Sequence, residues 1–84
     1  MSEPAPKTFP KLFADFMLND MRGIMRKHKV DDYWDSGVHP HELRILVSFM
    51  MGGLLDRKQV RRIVERAIVR HIEQKRGEVD ETGF

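Results

Sequence analysis

Met51-Gly52-Gly53-Leu54-Leu55-Asp56 separates two stretches that both carry apolar residues at helical spacing. Paired glycines stop a helix, and an aspartate whose carboxylate can accept from an amide three residues on starts one. The two flanking helices therefore have fixed inner ends, at residues 51 and 57, with a tight corner between them. Their other signals agree. Pro40 loses nothing at a first helical position, His39 is the capping residue before it, and Glu42 can reach back towards the His39 amide. Val38 and Leu43 stand at the spacing of a hydrophobic staple, as do Leu55 and Val60 around the Asp56 cap. Gly77 is the expected stop of the last helix.

Upstream, Phe13, Phe16, Met17, Met21, Ile24 and His28 fall on one side of a helix over about residues 10–29, with Asp15, Asn19, Arg22 and Arg26 opposite. Gly23 inside it costs roughly 1 kcal/mol relative to alanine unless a neighbouring backbone needs the space. The expected fold is all-α: a small three-helix bundle with helices at about 10–29, 40–51 and 57–76, and a helix-turn-helix-like corner between the second and third. Residues 1–8 and the acidic 77–84 are expected to be flexible tails on a 9–76 domain.

At 84 residues opening on methionine, the chain reads as a whole small protein with one core. No cysteine is present, so disulfides and thiolate zinc sites are excluded. The longest apolar runs, Ile45 to Val47 and Phe49 to Met51, are far below the roughly 20 residues of a membrane span. With no secretory signal visible, the cytoplasm is the expected compartment. Residues 10–76 carry 14 Lys and Arg against 9 Asp and Glu, a balance that permits an anionic partner.

The second helix is more apolar than a bundle of three requires. Arg44, Ser48 and His41 make a narrow polar strip, while Leu43, Ile45, Leu46, Val47, Phe49, Met50 and Met51 cover the rest. A bundle of this size covers only part of a helix, so Ile45, Phe49 or their surroundings face water unless the long loop and the N-terminal segment fold over them. Left uncovered, that face is an interface, with a partner protein or with a second copy. The six methionines of the chain read mainly as core filler.

On the third helix, Val60, Ile63, Val64, Ala67, Ile68, His71 and Ile72 form the apolar face, with His71 a packed histidine. Lys58, Arg62, Arg66 and Arg70 follow one another at i, i+4, so each adjacent pair repels by a few tenths of a kcal/mol. Glu65, beside Arg61 and Arg62, and Glu73, beside Arg70, are expected to relieve part of this. An anionic partner would relieve the rest. The helix-turn-helix motif itself is not matched. It needs a small residue four before its glycine and an apolar residue six after. Counting from Gly53 gives Phe49 and Gln59, and counting from Gly52 gives Ser48 and Lys58.

The loop Asp31-Asp32-Tyr33-Trp34-Asp35-Ser36-Gly37 places the only tryptophan and tyrosine among three aspartates. Such rings are contact anchors or lids on the end of a bundle, and the lid role suits Trp34 better than Tyr33. His39, His41 and Glu42 near the loop acids match no standard zinc spacing, and capping accounts for them. No nucleophile–base pair or phosphate loop is legible, so neither catalysis nor a cofactor is expected.

Two functional expectations result. The first is a protein-binding regulator, an inhibitor or adaptor of the small accessory kind carried by phages and mobile elements. It would contact its partner through Ile45, Phe49, Met50, Tyr33, Trp34, Arg62, Arg66 and Arg70. The second is a dimeric nucleic-acid binder using Arg57, Lys58, Arg61, Arg62, Arg66 and Arg70.

Overall fold

A computed structural model describes the backbone of residues 8–82 and the side chains of residues 8–77. Its elements are α1 (Phe9–Asp15), a π-helical segment (Phe16–Met21), α2 (Arg22–Lys27), a 3₁₀ turn (Tyr33–Asp35), α3 (Pro40–Met51) and α4 (Arg57–Thr82). The first three run on without a break, so the fold is a small all-α bundle of three rods, with no strand among the described residues.

The π segment is the departure within the first rod. Phe16 and Met21, both fully buried, lie five residues apart, a spacing that the widened i→i+5 turn brings to one face. In an unbroken α-helix the polar pair Asn19 and Asp20 would fall nearer that face. Here Asn19 Nδ2 turns back and donates to the Asp15 carbonyl at 3.0 Å and to Asp15 Oδ1 at 2.9 Å. Leu12 and Ile24 complete the buried side of the rod.

The rod ends two residues earlier than the sequence suggests. Val30 N donates to Met25 O at 2.8 Å and Lys29 N to Arg26 O at 3.2 Å, closing a Schellman turn with Lys29 at φ 60°. The same closure ends α3, where Leu54 N donates to Phe49 O at 2.9 Å and Gly53 N to Met50 O at 3.2 Å. There the left-handed position, φ 81°, is occupied by Gly53, which tolerates it without strain.

Both expected helix starts are built. Asp56 Oδ1 accepts from Gln59 N at 2.8 Å, and Gln59 Oε1 accepts from Asp56 N at 2.9 Å, a reciprocal capping box. At α3 His39 is the cap, as expected, through its imidazole: Nδ1 accepts from His41 N at 3.1 Å, while the expected reach of Glu42 back to the His39 amide is not seen among the described residues. The stop expected at Gly77 does not occur, and α4 continues to Thr82. An exposed glycine costs a helix roughly 1 kcal/mol but brings no clash, so it weakens the helix without breaking it. The first residues of the expected acidic tail thus have helical backbone, while 1–7 and 83–84 lie outside the described residues.

The core is a single cluster. Val60, Val64 and Ile68, one turn apart on α4, are fully buried against Phe16, Met21 and Ile24 of the first rod and Leu43 and Val47 of α3. The loop joins it through Val38 and a fully buried Ser36, whose Oγ accepts from Val38 N at 3.2 Å. Gly37, at φ 79°, lets the chain pass directly over His71: a Cβ there would sit 2.3 Å from the imidazole Cγ. Only glycine fits both the backbone angle and the gap.

Trp34 does not close the bundle. It is 76% exposed, and the lid is Tyr33, half-buried against the core with its hydroxyl out of contact with water. Asp32 accepts from Trp34 N at 3.0 Å, fixing a tight turn that points one ring inwards and leaves its neighbour outside. The two rings meet edge to face at 5.7 Å.

Candidate functional site

Charge on α4 divides into engaged and unengaged cations. Arg57 bridges to Asp20 Oδ2 at 2.7 Å and to Asp15, gripping the rod on either side of the π turn. Its guanidinium is held above the usual value, first by the hydrogen bond to Asp15, against a smaller effect of burial. This clamp withdraws Arg57 from the expected nucleic-acid set. Glu65 turns away from Arg61 and Arg62, which it was expected to relieve, and accepts from Lys27 Nζ and His28 Nε2, each at 2.8 Å. Those two bonds, the lysine's first, hold its carboxyl below the usual range. The reason is position: Glu65 lies on the side of α4 that faces α2, where opposite charge already waits.

Arg62, Arg66 and Arg70 are exposed, and no carboxylate among the described residues lies within ion-pair distance of them. Glu73, expected to balance Arg70, makes no ion pair among the described residues either. The arginines line a groove of about 360 Å³ together with Gln59 and an apolar floor of Leu55, Ile63 and Ala67. Ile63, assigned by periodicity to the core face, is 42% exposed here. On the other side of Arg62 a smaller groove between α2 and α4 is lined by Gly23, Lys27, Lys58, Arg61 and Glu65. Gly23 faces open space, so no neighbouring backbone explains it.

Among the described residues, the apolar face of α3 is left partly uncovered. Ile45 and Phe49, two residues before and two after fully buried Val47, are 41% and 42% exposed. Met51 and Leu54 beyond them are also exposed. Among the described residues the first rod comes only to the edge of this face: Phe9 shares a shallow hollow with Ile45 and lies under Arg44, whose guanidinium stands 6.0 Å from the ring centre. Met50 corrects the expected contact set. It follows Leu46 by four and Val47 by three, so it packs half-buried on the core. Tyr33 likewise belongs to the core, while Trp34 stands free on the loop. The expected residues thus form separate surfaces: Arg62, Arg66 and Arg70 on the α4 groove, and Ile45 beside a shallow hollow with Phe9, His41, Arg44 and Ser48.

Sequence reasoning missed Leu54 and Ile63 as surface residues. Leu54 had a local signal, since it directly follows the glycine that closes α3. Among the described residues, no three of His, Cys, Asp and Glu come together in a way that could hold a metal. His39 uses its Nδ1 as a cap. No helix among the described residues is long and apolar enough to cross a membrane.

No protein-family model, curated protein or solved structure matches the chain. Geometry alone therefore carries the functional argument.

Proposed function

We propose that this protein is a non-enzymatic, protein-binding regulator, an inhibitor or adaptor that acts by occupying a partner's surface. The observation that carries the reading is the coexistence of an apolar face on α3, Ile45 and Phe49, with an arginine column on α4, the one uncovered and the other unpaired among the described residues. Protein contacts combine such elements: apolar anchors supply the affinity, and a charged rim steers the approach. The α4 groove is lined by arginine, glutamine and aliphatic side chains, the mixture that a protein contact uses.

A nucleic-acid partner would use Lys58, Arg61, Arg62, Arg66 and Arg70, but two features weigh against it. Ile63 and Ala67 interrupt the arginine surface, and Glu65 shares the second groove with Lys58 and Arg61. Light scattering at low and high salt, with and without duplex DNA, separates the two partners. The protein reading expects no DNA complex. A complex that dissociates as salt rises, with log K falling by about 0.9 per phosphate contact against log salt, would overturn it. In affinity capture, Phe49→Asp is expected to lose a partner protein that wild type retains at moderate salt.

A further inference from the structure

We infer that the α4 groove takes an acidic amphipathic helix of another protein. This rests on the protein-binding reading and names the partner's chemistry. From Gln59 to Arg70 the groove follows α4 for about 16 Å, or roughly three helical turns. Its floor, Leu55, Ile63 and Ala67, is apolar, and one edge is Arg62, Arg66 and Arg70 at successive i, i+4 steps.

Three arguments select the occupant. The first is charge: three guanidiniums without a described carboxylate partner repel one another, and carboxylates on the occupant convert that repulsion into attraction. The second is register. A helix lying alongside α4 repeats its own i, i+4 positions at the same rise, so one column of Glu or Asp meets all three arginines while its i, i+3 apolar stripe meets Ile63 and Ala67. The third is backbone chemistry. An extended peptide would turn amides and carbonyls onto the aliphatic floor without partners, because no strand edge lines the groove, whereas a helix bonds its own backbone. Phosphate backbone would satisfy the arginines and leave Ile63 against a charged chain.

The test uses the full protein, 15N-labelled, with two synthetic amphipathic helices that share a leucine stripe. One carries glutamate, the other lysine, at i, i+4 along one flank. The acidic peptide is expected to shift the amides of Leu55, Ile63 and Ala67, and the basic one to leave them unmoved. Arg62→Glu with Arg66→Glu should weaken the acidic peptide by about tenfold or more and allow the basic one to bind. Both positions are exposed, and a thermal melt of the double variant checks that it still folds. An acidic peptide that leaves the groove unshifted at millimolar concentration overturns the proposal. Shifts confined to Ile45 and Phe49 overturn it while leaving the protein-binding reading standing. Duplex DNA that displaces the peptide from the groove overturns both, and a dimer mass by light scattering with the free groove amides already protected would assign the groove to a second copy.

Discussion

Tyr33 is the residue whose chemistry and position are in conflict. Its ring belongs in the core, but its hydroxyl is buried without a hydrogen-bond partner among the described residues. Burial, and then the charge of Glu42, push its pKa up. A phenol so placed costs about 1 kcal/mol or more in desolvation that nothing returns. Tyr33→Phe keeps the ring and removes the hydroxyl, so urea denaturation should show a variant at least as stable as wild type, by up to about 1 kcal/mol. A clear loss of stability would mean that a water or an outer residue serves the hydroxyl. Sequence reasoning reversed the parts of Tyr33 and Trp34, because composition marks an aromatic loop without saying which ring the Asp32 turn directs inwards. At Phe49 and Ile45 it was better placed, since both lie across the helix from Val47 on any α-helical wheel.

At the level of elements, what was legible was local. The capping box of Asp56 and Gln59, the proline start of α3 and the double-glycine stop all depend on residues within one turn of each other. The π segment was not legible, because what it serves is distant: it sets Asp15 and Asp20 on one side, where Arg57, 37 residues beyond Asp20 and 42 beyond Asp15, bridges both. Ile63 was misplaced for a similar reason, as periodicity gives the direction of an apolar face but not how far the neighbouring helix extends along it. Two helix ends of identical hydrogen-bond pattern allow a comparison. Gly53 accepts the left-handed angle freely, whereas Lys29 adopts it at a steric cost of roughly 1–2 kcal/mol. Lys29→Gly removes that strain, less some added entropy in the unfolded chain, and should raise stability by about 0.5–1 kcal/mol in thermal or urea unfolding. A loss would show that the Lys29 side chain makes a contact worth more than the strain.

For the whole molecule, the contacts across α4 are unequal. Arg57 anchors one end to the π turn, and Glu65 ties the middle to α2 through Lys27 and His28. The bonds from Lys27 and then His28 hold the Glu65 pKa below the ordinary glutamate value of about 4.5 in the folded protein. The unfolded chain therefore takes up the proton first as pH falls, and stability drops through the window from about 4.5 down to the folded value. Glu65→Gln should be less stable than wild type at neutral pH, and the difference should close below that window. Unfolding curves across pH 3–7 check it, and a difference constant with pH would assign the effect to packing rather than charge.

The continuation of α4 through Gly77 bears on how this protein moves through water. The molecule measures 56 × 24 × 18 Å with a radius of gyration of 14.7 Å, where a compact chain of this length would give about 12 Å. Friction follows the long axis, so a 9.9 kDa monomer of this shape would sediment slowly and leave a sizing column early, at the position of a heavier sphere. Elution volume by itself would not tell one elongated chain from a compact dimer.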